Sequence, residues 1–353
     1  MDRLEGQDRR LESREVTEPA VPAVSVIVPA RDAAATLGRA LDCLSRQDLE
    51  AEFEVIVVDD GSSDETAATA RAHPLSATVV ESESRAGPGG ARNRGAELAR
   101  APVLAFTDAD CFPTESWLSE GLEAIRRLDL VQGAVGPDPT ASLGPFDRTV
   151  IVTGEIGLYE TANLFVRRGW FERVGGFEDW IVEGGEGLFG WQAPRDGRTA
   201  RPPRRTIGED TLFGWEARRL GARTGFAPRA LVHHAVFART PAEAIRYRWA
   251  WRHLPALAKR IPEMRDEAFY RRWFFDYRSA AFDLALLGAV AAAAMRSPLP
   301  LVAALPYARW ICDQGVRWRE HGVARVALGT IGGDAAGFVG LAVGSFGWRA
   351  VLL

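Results

Sequence analysis

The chain has 353 residues, 47% of them hydrophobic, and a formal net charge of −4. That is enough apolar material for one large or two ordinary domains, and the charge offers no global attraction to nucleic acid. Cys43, Cys111 and Cys312 are odd in number and far apart, so no disulfide framework or metal-ligand spacing appears and a reducing, cytoplasmic setting is expected.

Residues 1–21 alternate acid and base with almost no apolar content, which predicts a disordered tail lacking the apolar centre of a secretory signal. Val24–Pro29 reads as a first strand stopped by proline. Leu37, Leu41 and Leu44 then mark a helix over 34–46. Phe53–Val58 is a second strand, ending in Asp59-Asp60-Gly61-Ser62-Ser63. A helix follows through Glu65–Arg71 with Asp64 at its start. Ala77–Val80 is a short third strand, 91–100 a helix and 103–107 a fourth strand. This alternation predicts an α/β fold with a doubly wound, mostly parallel sheet. The first strand-to-helix turn has no glycine, which argues against a dinucleotide-binding domain. The glycines cluster instead at Gly87, Gly89, Gly90 and Gly95.

Asp108-Ala109-Asp110 closes the fourth strand. Carboxylates there face the crevice in which open α/β sheets bind ligands. Such a pair can hold a hard divalent cation against a diphosphate; taken alone, it is equally two surface acids. Further on, 115–128 reads as helix, Leu130–Val135 as strand and 136–148 as loop. Ala162–Val166 is a strand or a wall of the cleft, with a helix from Gly169 to Val174. Arg195, Arg198, Arg201, Arg204 and Arg205 fall among Gly and Pro, which suggests a mobile basic loop. Glu209–Leu220 is a helix and Leu231–Phe237 the last strand.

Beyond residue 237 the pattern is helical. Residues 236–280 hold ten Arg or Lys against five Asp or Glu, with Trp249, Trp251 and Trp273 among them. This suits a membrane interface or an ordinary solvated helix pair. The uncharged stretches Leu284–Met295, Ser297–Ala308 and Ala335–Trp348 are each shorter than the roughly 20 residues a membrane span needs. They predict interfacial or re-entrant segments, or a buried helical bundle.

Val24–Pro29, Val57–Asp64, Gly90-Ala91-Arg92-Asn93-Arg94-Gly95, Asp108/Asp110 and Gly208-Glu209-Asp210 occur in an order and spacing that resembles the family 2 glycosyltransferases, which have the GT-A fold. The resemblance covers 22–237 and leaves 238–353 as a helical region expected to be membrane-associated. It implies inverting transfer from a nucleoside-diphosphate sugar, UDP-linked, with Mn²⁺ or Mg²⁺. The implied acceptor is a hydroxyl of a saccharide, a lipid-linked or a small molecule. The implied setting is cell-envelope glycan or glycolipid synthesis on the inner face of the membrane.

Carried over by position, Pro29, Ala30 and Arg31 line the nucleoside pocket and Asp60 meets the base. Arg92 sits near the nucleotide and diphosphate. Asp108 and Ala109 lie on the donor side, Asp110 ligates the metal, Asp108 shares it and His234 completes the shell; His233 alternates to the other face. Asp210 is the catalytic base, and Glu209 supports it or contacts the acceptor. The arginines of the 195–205 loop close over diphosphate or acceptor. One departure is Asp32, where many members carry asparagine. The rival readings are a non-catalytic nucleotide-sugar-binding or scaffold protein at the membrane, and a nucleotidyltransferase. Pro29-Ala30-Arg31-Asp32-Ala33 lacks the Gly-rich basic loop of the latter.

Overall fold

The computed structural model describes residues 21–82, 85–178 and 208–353. The tail expected at the N-terminus, but for Val21, and the arginine-rich loop of Arg195–Arg205 lie outside the described residues. Eight strands form one mixed sheet: β1 (Val24–Ala30), β2 (Phe53–Asp59), β3 (Thr78–Glu81), β4 (Val103–Phe106), β5 (Cys111–Pro113), β6 (Leu130–Pro137), β7 (Leu164–Arg167) and β8 (Thr224–His234). Their order is β3-β2-β1-β4-β7-β6-β8-β5. The first four are parallel, as their alternation with helices predicts. β7 runs antiparallel to both β4 and β6, β8 is parallel to β6, and β5 antiparallel to β8.

Helices α1 (Ala34–Ser45), α2 (Thr66–Ala72), α3 (Gly87–Leu98), α4 (Trp117–Ile125), α5 (Arg168–Val174) and α6 (Glu209–Arg219) cover the sheet. β1 is buried on both faces, so its side chains feed two cores in alternation. Val24, Val26 and Val28 join Leu37, Leu41 and Trp117 on one side. Ile27 joins Ile56, Phe106, Phe171 and Phe213 on the other. Asp64 precedes α2, which opens at Thr66 rather than Glu65. Its carboxylate takes the Thr66 and Ala34 N–H groups, each at 3.1 Å, and so ties the starts of α1 and α2 together.

Two strands depart from the sequence expectation. β5 is only three residues long, and its strand character comes from pairing with β8 across the fold. β8 begins at Thr224 rather than Leu231. Its register against β6 jumps between Ala227 and Leu231, where Pro228 cannot donate to a ladder, and that break hides the first half.

The remaining helices are α7 (Pro241–Arg248), α8 (Leu254–Arg260), α9 (Met264–Glu267), α10 (Tyr277–Met295), α11 (Leu305–Arg317) and α12 (Val323–Trp348). Leu257, Ile261, Met264 and Leu341 belong to the same apolar cluster as Ile27 and Phe213, so the core continues across residue 237. α10 has 19 residues and α12 has 26, and both are long and apolar enough to cross a membrane by length and composition. The shorter uncharged stretches underestimate them because α10 runs on through Arg278 and Asp283 and α12 through Asp334. Asp334 of α12, buried, meets Arg248 at 3.3 Å and Arg278 at 3.1 Å and accepts from Tyr307 Oη at 2.8 Å.

α12 lies against α7, α8 and the turn Trp249–His253, with Gly337 on the Trp251 ring and Gly344 on the backbone of Arg252. A methyl group at 344 would overlap the Arg252 carbonyl, which backbone cannot easily yield. Gly344→Ala is therefore expected to destabilise by about 1–3 kcal/mol through overpacking, against the gain of roughly 0.5–1 kcal/mol that alanine brings to a helix interior. A thermal melt lower than the parent's checks it.

Candidate active site at the carboxyl edge of the sheet

The carboxyl ends of β1, β2 and β4 and the starts of α3 and α6 meet on one edge. Ala30 lies against Asp59 in the ladder, Pro29 against Val58, and the Ala30 carbonyl accepts from Asp60 N–H at 2.9 Å. Arg31 and Asp32 form an exposed ion pair at 3.6 Å. Asp32 has φ +46°, in the left-handed region that asparagine and aspartate tolerate through local hydrogen bonds. Its carboxylate takes the Ser63 N–H at 2.8 Å and its N–H gives to Ser62 Oγ at 3.0 Å, stitching the first loop to the Asp59–Ser63 turn.

Asp60 is buried and accepts from the N–H groups of Ala86 at 2.7 Å and Gly87 at 3.0 Å, at the start of α3. Burial raises its pKa, against those two donors.

Arg92, also buried, is the centre of the arrangement. Its Nη2 donates to Asp108 Oδ1 at 2.7 Å and its Nη1 to Glu209 Oε1 at 3.2 Å. Nε has no protein partner. Burial opposes the charge, but Asp108, Glu209 and Asp210 outweigh it and keep the pKa above the ordinary value. One guanidinium therefore joins the acids after β4 to the acids that open α6. Arg92→Leu would leave two carboxylates unpaired; breaking a buried pair costs about 3–5 kcal/mol. The expected result is loss of the folded protein at 37 °C, or a melt far below the parent's, read by circular dichroism.

Asp110 faces a second group. Its Oδ1 is 3.5 Å from His234 Nε2 and its Oδ2 is 3.9 Å from Arg148 Nη2. The antiparallel register of β5 and β8 sets Cys111 beside His234. His234 Nδ1 donates to the Ala235 carbonyl at 2.6 Å, which fixes the ring with Nε2 toward Asp110. His233 turns the other way and bonds the Pro137 carbonyl at 3.2 Å. Burial and the Asp108 charge raise the Asp110 pKa, against His234 and Arg148.

Donor atoms of Asp110, His234 and Cys111 lie within 4.8 Å of one another. The Asp110 carboxylate and an imidazole fixed by its other nitrogen fit a hard divalent ion such as Mn²⁺, while Asp108 lies outside this set and is bonded to Arg92. Cys111 does not belong in that set. It is fully buried, with burial pushing its thiol well above the usual value, and a soft sulfur ligand suits a hard ion poorly.

Glu209 and Asp210 begin α6 after Gly208, whose φ is +75°. Asp210 takes the Thr211 N–H at 2.7 Å and the Thr161 N–H at 3.4 Å. Burial and the Glu209 carboxylate push its pKa up to about 8, against Arg92, and Glu160 adds to the rise.

The structure thus brings Arg92, Asp108, Glu209 and Asp210 into one cluster, with Asp110 and His234 beside it and Asp60 at the start of α3. Arg31 stays on the exposed rim. Sequence reasoning missed Arg148 and Glu160. Arg148 stands over the Phe237 ring at 4.3 Å and reaches Asp110 from a loop without motif or period. Glu160 occupies a turn between two weakly marked elements.

Comparison with known proteins gives the same outline. Residues 25–177 match the family model described as Glycosyl transferase family 2. The glycosyltransferase AglE of Haloferax volcanii is 33% identical over 181 residues, 47% of this chain and 59% of that protein. The amylovoran biosynthesis glycosyltransferase AmsB of Erwinia amylovora is 37% identical over 145 residues, 40% of this chain and 43% of that protein. The chain spans about half the length of these curated relatives. Among solved structures, the mannosyltransferase PcManGT from Pyrobaculum calidifontis, in complex with GDP-Man and Mn²⁺, superposes with a TM-score of 0.52 at 22% identity, covering 91% of this chain and 87% of its own. The likeness shows a shared GT-A fold.

Proposed function

We propose that this chain, whose residues 25–177 match the model described as Glycosyl transferase family 2, transfers a sugar from a nucleoside-diphosphate sugar, UDP-linked, to a hydroxyl acceptor with inversion. The observation that carries this is the single guanidinium of Arg92 held between Asp108 and Glu209, which makes the acids after β4 and the acids opening α6 one site. Asp60 and the loop of Pro29, Ala30 and Arg31 would take the nucleoside. Asp108, Asp110 and His234 would hold Mn²⁺ or Mg²⁺. When bound, the ion would supply a Lewis acid beside the diphosphate.

Asp210 is the base. In one displacement the acceptor oxygen bonds to the anomeric carbon while the bond from that carbon to the diphosphate oxygen breaks. The leaving group keeps the electron pair, and the acceptor proton passes to Asp210. Arg148 and Arg92, both on the donor side, would offset its negative charge. Glu209, committed to Arg92, positions the helix start rather than the proton.

The test is release of nucleoside diphosphate from a panel of sugar nucleotides with Mn²⁺ and mixed glycan or lipid-phosphate acceptors. A protein that no sugar nucleotide stabilises, and that releases none, is not this enzyme. Stabilisation without release would favour a non-catalytic binder.

We further propose that the helices after residue 237 dock on the inner face of a membrane, as in cell-envelope glycan synthesis. Leu284, Leu287, Val290 and Met295 of α10 and Leu299, Val302 and Leu305 after it are all exposed. Such a cluster fits an apolar medium rather than water, and arginine with Trp249 and Trp273 fits its interface. Recovery of the whole protein in the soluble fraction without detergent would remove this reading.

A further inference from the structure

Two arginines reach the acids after β4, and they act differently. Arg92 is buried and pairs with Asp108 at 2.7 Å and with Glu209 at 3.2 Å, so the protein itself neutralises its charge. The Arg148 side chain is 41% exposed and stands 3.9 Å from Asp110 Oδ2. That is beyond hydrogen-bond reach. Arg148 therefore acts on Asp110 through its charge and leaves the carboxylate its lone pairs.

The fold fixes this guanidinium in place. Arg148 and Phe237 exchange both backbone N–H···O=C bonds, each at 2.9 Å. The guanidinium then lies over the Phe237 ring at 4.3 Å, a cation–π contact. The same ring meets His234 in a T-shaped pair with centroids 6.1 Å apart. The next residue, Thr149, donates from Oγ1 to the His234 carbonyl at 3.3 Å. Ala235 N–H donates to the Asp110 carbonyl at 2.8 Å. Residues 148–149 are thus tied to Asp110 and His234 together, and they bring a positive charge to both.

That charge has the wrong sign for a site that takes up a bare divalent cation. Charges of two and one a few ångströms apart are worth about tenfold in affinity even in water. It has the right sign for a diphosphate, whose oxygens guanidinium groups bind through paired N–H···O bonds. We propose that Arg148 makes this site select a divalent cation already carried by a diphosphate. Its guanidinium repels the bare ion from Asp110 and His234, and it attracts the nucleoside diphosphate that brings the ion in. This rests on the transferase reading above.

The experiment measures binding rather than turnover. Mn²⁺ alone is titrated into the parent and into Arg148→Gln, with the free ion counted by electron paramagnetic resonance. UDP and GDP are then titrated calorimetrically at a fixed excess of Mn²⁺. In the variant the Kd of Mn²⁺ alone should fall about tenfold. The Kd of the nucleoside diphosphate should rise about tenfold. Arg148→Lys keeps the charge and should hold the Mn²⁺ Kd within about twofold of the parent's. Raising NaCl from about 20 to about 500 mM should shrink the difference between parent and Arg148→Gln in Mn²⁺ affinity, because both charges are partly exposed. A merely structural Arg148 would weaken both ligands together and show no such screening. The exchange leaves the backbone pair with Phe237 intact, and a circular dichroism melt close to the parent's checks that the variant folds. Arg148→Gln that binds Mn²⁺ no more tightly than the parent, or binds the nucleoside diphosphate as well as the parent, overturns this assignment alone. A parent that binds neither UDP nor GDP with Mn²⁺ overturns the transferase reading and this assignment with it.

Discussion

Asp210→Asn is expected to lower kcat by about 10²–10⁴-fold, the usual contribution of a positioned base, while the Kd of the sugar nucleotide stays within about twofold. The reason is geometric. The Asp210 carboxylate meets the N–H groups of Thr161 and Thr211, and none of the acids of the donor cluster. Asparagine keeps the shape and one acceptor oxygen but cannot take a proton. Loss of donor binding in isothermal titration would show that Asp210 belongs to the donor half, and the base assignment would fall.

The same substitution has a consequence for stability. The Asp210 pKa is raised to about 8 by burial and Glu209, against about 3.9 for an unfolded aspartate. Between these values the native state holds a proton that the unfolded state has lost. The native state therefore binds more protons, and the Asp210 contribution to stability falls as pH rises. It is fully present below about pH 4 and gone once pH passes the folded value. An asparagine at this position does not titrate. The melting temperature of the variant should therefore rise relative to the parent's from pH 5 to pH 8, and the gap should stop growing above that. A parallel pair of melting curves would contradict the raised pKa. In catalysis the ionised base is the active form, so kcat/KM of the parent should climb toward alkaline pH.

Asp110→Ala should abolish the Mn²⁺-dependent part of donor binding. Changes at outer-shell partners of metal ligands already cost about 10–100-fold, so removing a ligand should cost at least about tenfold in donor Kd measured with Mn²⁺. Binding measured in EDTA should hardly change, because the nucleoside contacts lie elsewhere, at Asp60 and the Pro29–Arg31 loop. Asp110 is 3.5 Å from His234 Nε2, and the histidine is fixed by its own bond to Ala235. Alanine therefore leaves the imidazole in place and removes only the oxygen ligand. Equal Mn²⁺ dependence in parent and variant would show that the ion, if used, sits elsewhere.

Much of the site was legible because its parts are local. Asp60 terminates β2, Asp108–Asp110 terminates β4 and Glu209-Asp210 opens α6, and each is announced by apolar strand or helix periodicity beside it. Asp32 was legible as a departure, but its contacts were not. Only its φ of +46° and its bonds to Ser62 and Ser63 show why aspartate serves there. Arg148 and Glu160 were not legible. Each lies outside any regular pattern, and what makes each notable is a neighbour far away in the chain. The β5 strand escaped for the same reason. Three residues carry no period, and their strand identity is a property of β8.

The sequence by itself determined the alternation of β1 to β4 with their helices, and the order of the acids that carry the proposed chemistry. Those features depend on side-chain spacing and turn chemistry within a few residues, which the chain states directly. Only the tertiary structure decided that Arg92 joins Asp108 to Glu209, which lies 117 positions after Arg92. It also decided that α12 lies on the 249–253 turn. These depend on which surfaces the cores press together. Burial then converts those meetings into chemistry, because a charge removed from water takes its pKa from whatever partner the fold supplies.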